Sequence, residues 1–301
     1  MTVASNPRRR LIAAMGMTVF ALTELGSSAL VWAAPSAEKG TGPLAGICRT
    51  EIKRRFRQYL LMSAAGDPWA LSYYSPDFRM TAHDEVAGSD NLVLHSLLLD
   101  DESNQIAAEM RVRIKGIGGR ADMTRVLLHF YRLENGYIAA IRPAPEIVRF
   151  IPGGDEGPPP RPRPTGAPLP AIAGHDRMTA ERFRDYLDRF GRFDERFVEY
   201  YSPDIIFAAA PAPAPLHGRS AILDFYRPLR ANLGEALTVK DLVIDSEAGL
   251  MAAALTNRLT AYGKVVLPSR TLTAGDVLEL SGAIVYGLNR GRISMVRDLG
   301  G

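Results

Sequence analysis

Twenty-two residues of this chain occur twice. Residues 56–77 and 183–204 align without a gap at an offset of 127 and agree at ten positions. Unrelated stretches of this length share about one residue by chance, so the match marks an internal repeat. The agreeing residues are Phe56/Phe183, Arg57/Arg184, Tyr59/Tyr186, Leu60/Leu187, Asp67/Asp194 and the run Tyr73-Tyr74-Ser75-Pro76-Asp77 against Tyr200-Tyr201-Ser202-Pro203-Asp204. Two units are too few for a solenoid, which builds its core only by stacking three or more. Each unit must therefore close a core of its own, and 301 residues suffice for two domains of ordinary size.

A proline-rich stretch parts the two units. Eight of the 21 prolines lie between Pro152 and Pro170, including Pro158-Pro159-Pro160 and Arg161-Pro162-Arg163-Pro164. Proline lacks the amide donor and the φ freedom needed inside a helix or an inner strand, so this segment reads as a semi-rigid spacer. The expected division is a first domain at 44–151, a linker at 152–170 and a second domain at 171–301.

Within each unit the apolar period changes from helix to strand. Phe183, Tyr186, Leu187 and Phe190 fall at i, i+3, i+4 and i+7, and Ile52, Phe56, Tyr59 and Leu60 repeat that stripe. A short second helix ends at the tyrosine pair, where Ser-Pro-Asp stops it, because the residue before proline leaves the helical region. A third helix is predicted after Gly218, with Ile222, Phe225, Tyr226 and Leu229 on one face. Strands follow: Met110, Val112 and Ile114 alternate with charged residues, and further strands are predicted at 124–133, 137–141, 239–244, 250–261, 277–288 and 293–296. Glu134-Asn135-Gly136 and Asn289-Arg290-Gly291 are hairpin turns. Helices first and antiparallel strands afterwards give an α+β class.

The N-terminus reads as a signal for export. Arg8-Arg9-Arg10 precedes a largely apolar run from Leu11 to Thr23, and Val31-Trp32-Ala33 offers a cleavage site after Ala33. The arginines also resemble a twin-arginine signal. The competing reading is an uncleaved anchor, but Glu24 and Gly26-Ser27-Ser28 interrupt the apolar run, and a span wants about 20 clean apolar residues. A periplasmic or secreted protein is expected, with residues 1–33 removed. The formal charge of +3 falls to +1 without that segment, which gives no basis for a nucleic-acid surface. Cys48 is the sole cysteine, so no internal disulfide can form; it is expected to be a buried small hydrophobe.

Tyr-Tyr-Ser-Pro-Asp, then Leu216-His217-Gly218-Arg219-Ser220-Ala221-Ile222 leading to Phe225-Tyr226, then Val285-Tyr286-Gly287-Leu288 and Gly291-Arg292-Ile293, resemble the SnoaL-like branch of the nuclear transport factor two superfamily. The resemblance implies two tandem cone-shaped domains, each a curved, mainly antiparallel sheet wrapped around about three helices and enclosing an apolar pocket. It implies a small, largely apolar ligand, with activities in such proteins ranging over polyketide cyclases, ketosteroid isomerases, dehydratases and epoxide hydrolases, and it alone does not choose among them. It also implies dimers formed through the outer face of the sheet, here expected as a pseudo-dimer within one chain.

Isomerase chemistry of this kind needs a tyrosine on the first helix, a carboxylate base after the Ser-Pro-Asp turn and a protonated acid on a late strand. Tyr59 and Tyr186 match the tyrosine. The base falls at Ala82 and Ala209, and the acid at Leu128 and about Ala283, so two of three groups are missing from each unit and this reaction is disfavoured. The candidate catalytic groups are Tyr59 with His83 and Asp84, an adjacent base and carboxylate on the rim. The candidate ligand contacts are Tyr186, His217, Phe207 and Leu128. Each has a plainer reading: the tyrosines as core residues bonded to a backbone carbonyl, His83 and Asp84 as an exposed loop pair, His217 as the cap of the third helix, and His129 as a structural residue turned toward the other domain. Five histidines without ligand spacing predict no metal, Gly116-Ile117-Gly118-Gly119 between two strands is a hairpin and not a dinucleotide loop, and no cofactor is expected. The function classes left are an enzyme acting on a polyketide- or steroid-like compound, a non-catalytic binding or interaction module, and a purely structural pair.

Overall fold

The repeated residues occupy equivalent places in both halves. A computed structural model describes residues 42–78, 90–114, 123–153, 177–209, 212, 214–267 and 270–299. The repeat carries helices α1 (Arg49–Ala64) and α2 (Ala180–Arg192), each followed by a 3₁₀ turn, Pro68–Tyr73 and Glu195–Tyr200. Phe56/Phe183, Tyr59/Tyr186 and Leu60/Leu187 are buried in both halves, the single apolar stripe that their spacing requires. Asp67 and Asp194 agree because both are caps: each carboxylate accepts a backbone N–H of its 3₁₀ turn, from Trp69 at 2.9 Å and from Arg196 at 3.2 Å. Thr179 caps α2 in the same way, accepting the Arg182 N–H at 3.2 Å.

In the first half β1 (Asp90–Asp100), β2 (Gln105–Ile114), β3 (Met123–Glu134) and β4 (Tyr137–Pro143) form an antiparallel sheet in that order, and β5 (Ile147–Ile151) follows. The second half continues with β6 (Tyr201–Ala208), β7 (Leu216–His217), α3 (Gly218–Arg230), β8 (Leu233–Asp245), β9 (Leu250–Ala261), a small hairpin of β10 (Val265–Val266) and β11 (Thr271–Leu272), then β12 (Val277–Asn289) and β13 (Arg292–Asp298). Its main sheet has the order β7-β6-β13-β12-β9-β8, antiparallel except where β6 runs parallel to β13. Register shifts interrupt β1/β2, β3/β4, β8/β9 and β12/β13, and such bulges bend strands and give each sheet its curvature. The class is α+β, as the change of period requires.

Three expectations need correction. The second half holds three helical segments, but in the first only α1 and a 3₁₀ turn are among the described residues. Strand β5 leaves the first half and pairs antiparallel with β12, Ile147 opposite Ser281 and Ile151 opposite Val277, so residues 147–151 complete the second sheet. Cys48 is exposed, because it stands at the open end of α1 as its N-cap position. Residues 1–41, the linker from 154 to 170 and the glycine turn 116–119 lie outside the described residues.

The two sheets meet through their outer faces. Leu98, Ala107, Leu128 and Phe130 form one apolar cluster with Val243, Ala252, Ala254 and Ala283. The strand period settles which residues these are: on β2 Ile106, Ala108 and Met110 point to the first core, while Ala107 and Glu109 point to the other half. Charged groups rim this contact. Glu109, almost fully buried, accepts both guanidinium nitrogens of Arg297 at 2.8 Å and the Ser96 hydroxyl at 2.9 Å. Asp245, fully buried, takes Lys53 at 2.7 Å, Arg49, and the backbone amides of Leu99 at 3.0 Å and Ala248 at 2.8 Å. Arg142 reaches Asp241 at 2.6 Å.

Burial alone would push Asp245 up, but the hydrogen bonds from Lys53, Leu99 and Ala248 outweigh it and hold the carboxyl below its ordinary value; Arg297 and Ser96 do the same for Glu109. A carboxyl lowered on folding stabilises above its unfolded pKa of about 4, and that contribution is lost as pH falls through the folded value. Unfolding temperature is therefore expected to drop on acidification below about pH 4. Asp245→Asn should cost about 2–3 kcal/mol at pH 7, less than a wholly buried pair because Arg49 and Lys53 keep contact with water, and should flatten the acid response. Urea melts of both proteins at pH 7 and across the acid range check this.

Candidate functional site

Each half pairs two tyrosine hydroxyls. Tyr59 Oη lies 2.9 Å from Tyr74 Oη, and Tyr186 Oη lies 2.8 Å from Tyr201 Oη. In both cases the partner stands fifteen residues on and is the second tyrosine of the Tyr-Tyr-Ser-Pro-Asp run. In both halves the helix tyrosine is hydrogen-bonded to another phenol, where a backbone carbonyl was the plainer expectation. The first tyrosine of the run turns elsewhere: Tyr200 bonds Asp185, and burial together with that carboxylate pushes it up to about 12.

The second pair is the more enclosed. Tyr186 and Tyr201 are both buried, and Phe183, Phe190, Phe197, Tyr226 and Tyr286 surround them in a single core. The rings meet edge-on or tilted, with Phe183 against Tyr286 at 5.1 Å and Phe190 against Tyr226 at 5.1 Å, the arrangement that aromatic quadrupoles favour. Burial pushes both phenols up, Tyr201 well above its ordinary value. Both hydroxyls stay protonated at neutral pH. Two O–H groups make one bond between them, so the pair retains one proton for a third acceptor.

The remaining candidates divide. Phe207 is buried and stands edge-on to Tyr226 at 5.9 Å, inside the same core. Ala209 is buried there too, so the base position holds a methyl group. His217 is the exposed N-cap residue of α3, and its side chain does not cap the helix. Leu128 does not face the first core. It packs on the second half with Ala283, while His129, expected on the outside, shares the face of Leu127 and Tyr131, with its ring 6.2 Å from that of Tyr131. The reason is the register of β3, which sets even positions 128 and 130 toward the other sheet. His83, Asp84 and the base position Ala82 lie outside the described residues.

One constellation had no clear signal in the sequence. Arg230, in the last turn of α3, donates to the Phe190 carbonyl at 2.6 Å and the Gly191 carbonyl at 3.3 Å and pairs with buried Glu235 at 2.6 Å. Asn257 also donates to Glu235. Desolvation raises the Glu235 carboxyl even against the Arg230 charge. A cation in a last turn is a familiar partner for helix carbonyls, here those ending α2, but nothing local marks Glu235 or Asn257 as its companions.

Two clefts open elsewhere. One of about 240 Å³ lies at the junction of the halves beside Leu128, His129, Pro143, Ala283 and Leu299; another of about 640 Å³ runs beside Leu44, Ile47, Ile52, Asp100, Asp101 and Leu133. Neither lies inside the second core. Among the described residues no group of three or more histidine, cysteine or carboxylate side chains is placed to hold a metal ion.

Residues 180–296 match the model of the SnoaL-like domain family, and this part of the chain is a SnoaL-like domain. A structure assigned as a polyketide cyclase from Pseudomonas putida KT2440 is 18% identical, over 40% of this chain and 90% of its own, with a TM-score of 0.35. An epoxide hydrolase-like protein of Mycobacterium tuberculosis is 14% identical over 38% and 77%, with a TM-score of 0.31. A nuclear transport factor two-like protein of unknown function from Burkholderia pseudomallei is 17% identical over 38% and 85%, with a TM-score of 0.30. A comparison with curated proteins gives no match.

Tyr186→Phe should cost about 1–3 kcal/mol, because the Tyr201 hydroxyl stays buried without its mate. The double variant Tyr186→Phe/Tyr201→Phe should cost less than the two single changes summed, since both polar groups then leave together. A double-mutant cycle from urea melts measures the difference, and strictly additive costs would mean that the hydroxyls are not coupled.

Proposed function

We propose that the second domain binds a small, largely apolar molecule carrying one oxygen acceptor, held at the Tyr186–Tyr201 pair, and that it does so without isomerase-type turnover. The observation that carries this reading is the hydroxyl pair itself. A polar dyad sealed among aromatic rings, with one proton still to give, suits a carbonyl or ether oxygen in apolar surroundings. The half-buried Leu216, Leu223 and Phe225, on β7 and α3, are the edge at which such a molecule would enter. Binding is favoured over proton transfer because Ala209 occupies the base position, while Leu128 and Ala283 turn toward the other half.

The same reading takes the two halves as copies of one unit, paired as a pseudo-dimer by their outer sheet faces. The shared tyrosine pairs, shared 3₁₀ caps and the apolar cluster between the sheets support it. The protein is read as exported to the periplasm or beyond, on the strength of Arg8–Arg10 and the apolar run after them. Among the described residues no helix is long and apolar enough to cross a membrane. Intact-mass measurement of the exported protein should find the chain beginning at Ala34; a mass that retains residues 1–33 would remove the cleavage.

Nile red, neutral and carbonyl-bearing, is a suitable probe. Titration into the folded protein should give a saturable fluorescence rise. Tyr186→Phe should weaken the dissociation constant about fivefold, the loss of one net hydrogen bond of about 1 kcal/mol. Absence of saturable binding would mean that the rings form a solid core and that this half is structural; binding unchanged in the variant would place the ligand elsewhere.

A further inference from the structure

The two closing hairpins correspond residue by residue. Adding 155 to a position in β3–β4 gives its equivalent in β12–β13. Gly136 and Gly291 both turn with positive φ, and Tyr131 and Tyr286 stand edge-on to the repeated Phe56 and Phe183 at 4.7 and 5.1 Å. The chain also leaves both hairpins by the same bond. The Ala144 N–H donates to the Leu128 carbonyl at 2.8 Å, and the Leu299 N–H to the Ala283 carbonyl at 2.9 Å.

Beside that bond the halves differ. Along Val277–Ser281 β12 is paired on both sides, by β9 on one and by β5 on the other. β3 pairs with β2 from Met123 to Arg132 but with β4 only from His129 onward, and among the described residues no strand adds to that second side at Met123–Leu127. Exposure follows the pairing: Leu278, opposite Phe150, is 2% exposed, whereas Met123, its equivalent, is 47% exposed. A strand edge of this kind is a template for a further chain. The cleft of about 240 Å³ runs along it, walled by Arg125, Leu127 and Leu128, by Ala144, and by Ala283 and Leu299 of the second half. It is therefore continuous with the apolar contact between the sheets.

We propose that the β3 edge at Met123–Leu127 is a strand-acceptor site for a partner protein, which adds an extended segment antiparallel to β3. Main-chain hydrogen bonds would supply the affinity and alternate side chains the specificity. The corresponding seat on β12 shows the chemistry of such a segment, because Ile147-Val148-Arg149-Phe150-Ile151 fills it: apolar residues around one charged residue. There Arg149 and Arg258 approach Glu279 at 3.9 and 2.9 Å. On β3 the equivalent of Glu279 is Thr124, with Arg113 opposite it on β2 and Arg111 next along the same face. Register places Asp90 opposite Arg113 but apolar Val93 opposite Arg111, which leaves this face positive. Arg125, on the other face, pairs with Glu146 at 2.7 Å. The incoming segment therefore carries an acidic residue where β5 carries Arg149. A second copy of this chain does not supply β5 for the purpose, since β5 is already paired with β12 in each copy.

The test uses the full chain and a peptide of residues 144–151 carrying Arg149→Glu. The labelled peptide should bind saturably by fluorescence anisotropy, a scrambled peptide should not, and the unchanged β5 sequence should bind about threefold more weakly. Hydrogen exchange at the amides of residues 123–127 should slow about tenfold or more in the complex and stay unchanged at 277–281. A second construction does not depend on peptide affinity. Extending the chain after Gly301 by Ile-Val-Glu-Phe-Ile sets the segment at the same spacing from Leu299 as β5 has from Ala144. That chain should melt higher than one extended by Gly-Ser-Gly-Ser-Gly and should no longer bind the peptide. Absence of protection at 123–127 in both the complex and the extended chain would overturn the site. Tighter binding of the unchanged β5 sequence would overturn the acidic preference. Dimers of the chain alone that protect 123–127 as concentration rises would make a second copy the occupant and overturn the partner protein. Nile red reports on the second core, so either proposal can fail alone.

Discussion

Part of each main sheet is apolar on both faces and needs cover on both sides. On β9 Met251, Ala253 and Leu255 point into the second core, while Ala252 and Ala254 point to the other half. Residues 250–255 are a continuous apolar run, which an antiparallel sheet tolerates only when both faces are covered. Helices cover the inner face and the opposite sheet covers the outer. The residues between the sheets are mostly small, Ala107, Ala252, Ala254 and Ala283, which lets the strands of the two halves approach closely. That close approach explains the cost accepted at the rim, where Glu109 and Asp245 are buried as charges and are satisfied only by cations and amides drawn from both halves.

Much of this was legible in the sequence because the repeat separates what is structural from what is incidental. The ten agreeing positions include core faces and caps, and Asp67/Asp194 is readable as a cap once its place before the 3₁₀ turn is known. Strand β9 was predicted at its observed bounds, since a long apolar run between turns leaves little choice. Strand β1 and the early part of β8 were missed, because their half-exposed, mixed residues give no clean period. Strand β5 was missed for another reason: its partner β12 is about 130 residues away, and nothing local says that Ile147–Ile151 will cross to the other sheet.

The site was legible in type but not in pairing. Tyr59 and Tyr186 were singled out as phenols on an apolar helix face, yet the partner that both halves share is a second phenol. The repeat held the clue, a second tyrosine at the same spacing of fifteen in both units. The facing of Leu128 and His129 went wrong because alternation fixes which residues share a face but not which face is inward; that is decided by register against β2. Glu235 illustrates the limit most plainly. Its burial follows from where the end of α3 delivers Arg230, a tertiary fact with no local sequence signature.

The asymmetry between the halves is informative. Among the described residues the first half shows α1 and a 3₁₀ turn but no third helix, and it leaves Tyr74 only half-buried. The second has α3 and buries both members of its tyrosine pair. The constraints of the shared outer face act on both halves equally, so they cannot account for this difference. The difference lies in the inner cores: the second carries the desolvation cost of two phenols among aromatic rings, offset by the hydrogen bond between them, while the first leaves its partner phenol half-exposed to water.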